Sequence, residues 1–408
     1  MMKRFFFLAI VLITCSLAAG AIDFEVDGLR YSVNNDNSSV TVISPAEGKT
    51  YSGDITIPKT VTNDNVTYSV TAIGSSAFEF CGQLNSVIMP NTITSIGYSA
   101  FGFSEKLTSV SLSENLIDIG NSCFCNCTGL KVANIPASVT YIGRYAFKGC
   151  SSLKEVVIPN SITEIYNYTF YGCSSLTNVT IGNSVTSIGE SAFEYCSKLP
   201  RVTIPKSVTY IDLYAFGSCS NLKSLTWNAK CCETDPLWLG GTMLTEVIIS
   251  NEVELISPYW MYEQSSLTSV AIPASVTSIE VNAFSNCYGL TRIDAYPDPA
   301  KVSMGENVFE GVEKDGTLHV LPQYLSAYQT ANQWRDFTNI KGDLSEFVKG
   351  DVNNDKEVGI ADVTALINIL MSNESPIVAS DYPPADVNED GEVGIADVTS
   401  LVNILLAD

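Results

Sequence analysis

At 408 residues the chain is long enough for two or three ordinary domains, yet only 16% of its residues are charged and it has a single histidine, a composition unusual for an enzyme. A net charge of −22 at pH 7 argues against a nucleic-acid partner, because that affinity depends on Lys and Arg neutralising phosphates. Little charge combined with abundant Ser, Thr, Asn and Ile describes repetitive strands closed by polar turns.

The N-terminus places Lys3 and Arg4 before an apolar run from Phe5 to Ile13, followed by Ala18-Ala19-Gly20-Ala21. That order predicts a secretory signal peptide over residues 1–21, cleaved after Gly20 or Ala21, with no transmembrane segment left in the mature chain. A rival reading lipidates Cys15, since Leu12-Ile13-Thr14-Cys15 loosely resembles a bacterial lipobox, although Thr14 sits where Gly, Ala or Ser is usual. Either route predicts a secreted or bacterial cell-surface protein.

Residues 22–72, opening Asp23-Phe24-Glu25-Val26-Asp27-Gly28, read as an N-terminal β cap. From there phenylalanine recurs at Phe78, Phe101, Phe124, Phe147, Phe170, Phe193 and Phe216, a step of 23, and Leu239, Met261, Phe284 and Phe309 continue the phase with small slips. The clearest copy runs Leu153, Val156, Ile158, Pro159, Ile162, Ile165, Phe170, Cys173. Alternating Leu, Val and Ile make a short strand with one buried face, and Pro ends its pairing because it has no N–H to donate. Val-Thr-x-Ile makes a second extended piece, Gly permits a turn, and Ala-Phe-x-x-Cys predicts a helical turn with Phe inward. One such coil cannot bury these residues alone, so the coils stack, and Leu84, Leu107, Leu130, Leu153, Leu176, Leu199, Leu222, Leu244, Leu267 and Leu290 form a ladder. On these repeats residues 22–342 resemble the BspA-like leucine-rich repeat family of bacterial cell-surface and secreted proteins. The resemblance implies a β-rich solenoid of 23-residue coils over 73–342, including a C-terminal cap, that recognises a protein or a glycan.

Cys81, Cys127, Cys150, Cys173, Cys196, Cys219 and Cys287 share one coil position, which Ser104 and Thr242 fill in other coils. Thiols stacked there are expected to be buried and free, behaving as small hydrophobes, with disulfides disfavoured. Cys123-Phe124-Cys125-Asn126-Cys127 has no further ligand nearby to complete a metal site, so Cys123 and Cys127 are read as inward and Cys125 as outward. A vicinal disulfide between Cys231 and Cys232 stays open. Outward strand positions such as Thr108, Ser109, Thr177, Asn178, Thr268 and Ser269 are small and polar, with no charged stripe of the kind a polysaccharide lyase needs.

The coil from Leu222 to Met243 breaks the pattern, and the next carries Pro258-Tyr259-Trp260-Met261-Tyr262. Aromatics on irregular loops favour ligand contact, while a degenerate coil also needs large side chains to fill its gap. The filling role is favoured for Trp227 and Met261; Trp238, Tyr259 and Tyr262 remain candidate ligand contacts. His319, near the solenoid's exit, is read as a surface or capping residue.

After a linker over 343–349, residues 350–408 hold twelve acidic residues and one basic one, Lys356. Two matched loops start at Asp351 and Asp386. They place oxygen donors at Asp351, Asn353, Asp355, Glu357 (through its backbone carbonyl) and Asp362, and again at Asp386, Asn388, Asp390, Glu392 (likewise) and Asp397. Ca²⁺ takes six to eight oxygens, and this spacing wraps them around one ion per loop. Lys356 stands where Gly391 serves the second loop, so the second site is expected to be the better formed. Each loop opens a helix: Val363, Leu366, Ile367 and Leu370 recur at helical spacing, as do Val398, Leu401, Val402 and Leu405. These two loop–helix units resemble a type I dockerin domain, a small all-α module. The resemblance implies a cohesin-like partner, often within a polysaccharide-degrading assembly, and places Ile360, Ala361, Ile395 and Ala396 where partner choice is made. The combined reading is a non-catalytic recognition or adhesion protein. A matrix adhesin with the tail as a calcium cap, and a dockerin-borne glycan-active enzyme, are the alternatives.

Overall fold

The computed structural model describes residues 23–345, 350–352, 358–372, 377–378, 385, 387–388 and 392–407. The leader, with Cys15, and residues 346–349 of the linker lie outside the described residues.

The chain winds into a β-solenoid with two parallel ladders. The first is built from the Leu-x-x-Val-x-Ile segments, among them Glu155–Val157, Asn178–Thr180, Arg201–Ile204, Ser224–Trp227 and Glu246–Ile249. Register is held at one coil per step: Val156 pairs with Val179, and Val202 with Leu225 and then Val247. The second ladder uses two-residue strands, such as Glu164–Ile165, Ser187–Ile188 and Tyr210–Ile211, stacked the same way. At the N-terminal end Asp23–Val26, Leu29–Val33 and Ser39–Ile43 pair antiparallel, and Ser39–Ile43 then hands over to the parallel ladder through Val66–Ile73. Threonine suits the outward positions because its hydroxyl reaches the carbonyl one coil back, as Thr177 does to Lys154 (3.1 Å) and Thr209 to Thr186 (3.1 Å).

Between the ladders the phenylalanines form a column. Successive rings from Phe78 to Phe216 stack with centroids 4.9–5.3 Å apart. The described cysteines are free, and those at the ladder position are buried. From Cys127 onward each ladder thiol donates to the Phe-position carbonyl of the preceding coil, as Cys127 does to Phe101 (3.0 Å), Cys150 to Phe124 (3.1 Å) and Cys287 to Met261 (3.0 Å). Ser104 does the same to Phe78 at 2.7 Å, which is why a hydroxyl can stand in for the thiol.

The segment around each phenylalanine is not the helical turn expected. Residues two before and two after it have positive φ in every coil: Ser76 and Phe80, Ser122 and Asn126, Tyr168 and Gly172, Ser191 and Tyr195. This left-handed backbone sends alternate N–H groups to the next coil, Ser76 to Tyr98, Phe78 to Ala100 and Phe80 to Gly102, and the turn becomes a third face of the stack. A side chain in that conformation costs about 1 kcal/mol, so Gly, Asn and Ser are its natural occupants. The glycine after Val-Thr-x-Ile has another purpose. A Cβ on Gly120 would lie 2.6 Å from the Gly97 carbonyl carbon, so close approach of coils demands it.

Where Leu239 and Met261 replace phenylalanine, Trp227, Trp238 and Trp260 close the gap, with ring centroids 5.3–5.5 Å apart. The solenoid ends on Thr317–Val320 and Asn339–Lys341, with the short helix α1 (Leu325–Tyr328) between them and Trp334 against Phe309 at 4.8 Å. The tail holds two 13-residue helices, α2 (Ile360–Ser372) and α3 (Ile395–Ala407). A separate small core of Val363, Leu366, Ala385, Val387, Val393 and Leu401 joins them. No helix among the described residues is long and apolar enough to cross a membrane.

Candidate functional site

Each tail helix starts in the same way. Asp362 accepts from the Gly359 N–H at 2.7 Å, and Asp397 from the Gly394 N–H at 2.7 Å, so each aspartate caps its own helix. The other Asp397 oxygen, Oδ1, accepts from the N–H groups of Val387 (2.7 Å) and Asn388 (3.0 Å). One carboxylate therefore fastens the start of the second loop to the start of its helix.

Asp351, Asp362 and Asp397 are all at most 2% exposed. Buried carboxylates need compensating positive charge, and the tail has one basic residue against twelve acidic ones. The described donors are hard oxygens from the first and last positions of one loop and the third and last of the other. They fit Ca²⁺, which prefers carboxylate and amide oxygen. Asn353, Asp355, Glu357, Asp386 and Asp390 lie outside the described residues, as do Lys356, Gly391 and the side chain of Glu392. Among the described residues no three acidic, Cys or His side chains converge as a metal cluster.

Ile360 and Ile395 are 78% and 81% exposed, and Ala361 and Ala396 are exposed beside them. Met371 and Leu406, 81% and 80% exposed, extend each pair along its helix, a feature the sequence reading missed. The signal was available: 360, 364, 367 and 371 share one helical face, and 395, 399, 402 and 406 repeat it 35 residues on.

On the solenoid Trp238 requires correction as a ligand contact. It is 1% exposed, packed on Trp227 and edge-on to Phe216 (6.2 Å), with its indole N–H donating to the Trp260 carbonyl at 2.8 Å. The missing phenylalanine draws it inward. Trp227 and Met261 are buried as the filling role requires, whereas Tyr259 and Tyr262 are half-buried and meet edge to face at 5.6 Å. Cys123 and Cys127 point inward and Cys125 is partly exposed; Cys231 is exposed, Cys232 is buried, and the two are not bonded. His319 hydrogen-bonds Asp343 at 2.7 Å and ties down the solenoid's exit.

Comparison with known proteins gives two family matches. The BspA type leucine rich repeat region matches over residues 55–174, 140–262 and 236–316, and the dockerin type I domain over residues 349–406. No curated protein matches the chain. Similar solved structures include a leucine rich cell surface protein from Faecalibacterium prausnitzii A2-165, 23% identical, covering 80% of this chain and 99% of that one, with a TM-score of 0.39. A leucine-rich repeat protein from Bacteroides ovatus ATCC 8483 is 24% identical over 78% and 99%, with a TM-score of 0.37. The pneumococcal vaccine antigen PcpA is 16% identical over 80% and 99%, with a TM-score of 0.36.

Proposed function

The chain belongs to the BspA-type leucine-rich repeat proteins and ends in a dockerin type I domain, and on that footing we propose that it is an exported recognition protein whose solenoid holds a protein or glycan while its tail docks, with calcium, to a cohesin module. A dockerin implies a cohesin partner, and dockerin type I domains generally bind calcium. Both modules found are non-catalytic.

The observation that carries the reading is the matched pair of exposed apolar stripes, Ile360 to Met371 and Ile395 to Leu406, each rooted in a loop whose described aspartates, Asp351 and Asp362 in one and Asp397 in the other, are buried. Four large apolar side chains near 80% exposure have no use in a tail that only caps the solenoid. They suit a protein partner that covers them. Asp351, Asn353, Asp355, Glu357 and Asp362 would hold one ion, and Asp386, Asn388, Asp390, Glu392 and Asp397 the other. Bound calcium supplies positive charge to the carboxylates, and Asp362 and Asp397 pass that order to the first turns of α2 and α3. The helices then present Ile360-Ala361 and Ile395-Ala396 in a fixed geometry.

Capture of the full chain on an immobilised type I cohesin tests the reading. Binding is expected in millimolar-range calcium, with loss in chelator and loss when Met371 and Leu406 are both changed to Lys. Capture that survives chelator and both substitutions would refute it.

A further inference from the structure

Of the twenty-two left-handed positions that flank the column in the eleven coils, thirteen hold Ser, Asn or Gly, as the backbone prefers, and nine hold larger side chains, five of them Tyr. Three of those tyrosines cluster in the middle of the solenoid. Tyr145, Tyr168 and Tyr195 sit there with φ of +60°, +60° and +61°, while sibling coils place Ser122, Ser191, Gly149 and Gly172 at the same points. Burial does not offset this strain, since Tyr145 is 36% and Tyr195 47% exposed. Bulky side chains in strained, solvent-facing positions mark a surface kept for contact.

The tyrosines form a continuous ridge. Tyr145 stacks on Tyr168 at 5.0 Å, Tyr168 meets Tyr171 at 5.7 Å, and Tyr171 meets Tyr195 edge-on at 5.3 Å. Lys148 projects into it, with Nζ 5.0 Å from the Tyr171 centroid, 5.3 Å from Tyr145 and 5.9 Å from Tyr168. Among the described residues Lys148 has no carboxylate partner within salt-bridge distance, although the molecule carries a net charge of −22. The ammonium is held by ring faces and keeps its donors for a ligand.

We propose that this ridge is a carbohydrate-binding surface and that its ligand is a glycan chain bearing uronic-acid carboxylates. Tyr rings offer apolar faces to sugar C–H groups and phenol oxygens to sugar hydroxyls, at little entropic cost because they are already stacked. Tyr145 lies on one coil, Tyr168 and Tyr171 on the next and Tyr195 on the one after, so the ridge crosses three coils along the solenoid axis and suits an extended polymer. A strip one turn wide is a poor match for the ~800 Å² that each partner in a stable protein pair gives up. Lys148 selects the carboxylate by a charge-assisted hydrogen bond. On the coil that carries Tyr195, Glu190, which accepts from the Tyr168 hydroxyl at 2.7 Å, and Glu194 repel charge and accept sugar hydroxyls. The ligand's acid group is thereby set over Lys148.

The proposal rests on the recognition role assigned to the solenoid and names its ligand class. The test is calorimetric titration of the full chain with hexagalacturonate, and with mannohexaose as a neutral probe, in chelator so that calcium bound by the uronate plays no part. Hexagalacturonate is expected to bind at least about tenfold more tightly than mannohexaose, and Lys148→Gln to remove that preference. Tyr195→Gly, which installs the residue of sibling coils, is expected to weaken binding about tenfold while the melting temperature stays level or rises. No binding of hexagalacturonate, equal affinity for both probes, or Tyr195→Gly binding as tightly as the parent would overturn the proposal. Cohesin capture is the separate check on the tail. A protein ligand displaced by Tyr195→Gly would refute the glycan assignment and leave the recognition role standing.

Discussion

The thiol at the ladder position packs like a small hydrophobe and also satisfies a carbonyl of the coil before it. Its confinement has a measurable consequence. Burial pushes the Cys127, Cys173 and Cys287 thiols up to about 12 from a normal value near 9. Each contributes stability that is complete below the unfolded-chain value and is lost as pH rises toward the folded value, because the unfolded chain releases its protons first. Thermal melts from pH 7 to 11 should therefore show the solenoid weakening above about pH 9. Replacing these three cysteines by Ala should flatten that slope while lowering stability at pH 7. An alkaline slope unchanged by the replacements would show that the buried thiols are not its source.

At the scale of elements, Asp397 carries more than a cap. It satisfies N–H groups from Val387, Asn388 and Gly394, so one side chain joins loop, strand end and helix. Asp397→Ala leaves those donors to find water, at about 1–3 kcal/mol for each that stays buried. In calcium the variant should lose much of the helical circular dichroism of α3 while the solenoid melts as before. Helicity equal to the parent would contradict the role given to that carboxylate. The strands and both tail helices were legible from periodicity, since their side-chain spacing is imposed by which face is buried. The turn around phenylalanine was not, because left-handed backbone there accepts Ser, Asn, Tyr, Phe, Leu and Glu and so leaves no residue signature. Trp238 misled for a related reason: its burial depends on a phenylalanine that is absent one position later, at Leu239. The tyrosine ridge sits in columns that read along the chain as variable, and only stacking the coils brings Tyr145, Tyr168, Tyr171 and Tyr195 together.

Across the whole molecule the two modules divide the work by their physics. Solenoid coils bury their regular residues against neighbours, so specificity falls to the few positions that depart from the repeat. The tail has a small core and carries −11 of the net −22, a charge that opposes folding until something positive joins it. Calcium should thus act as a switch on the dockerin tail while the solenoid stays folded. The most direct measurement is calcium titration into the chelator-treated full chain, following heat and helicity together. The account predicts two binding events per chain, the tighter one abolished by changing Asp386 and Asp390 to Ala, with helicity gained as calcium fills the sites. No calcium heat, or heat and helicity unmoved by those two substitutions, would contradict it.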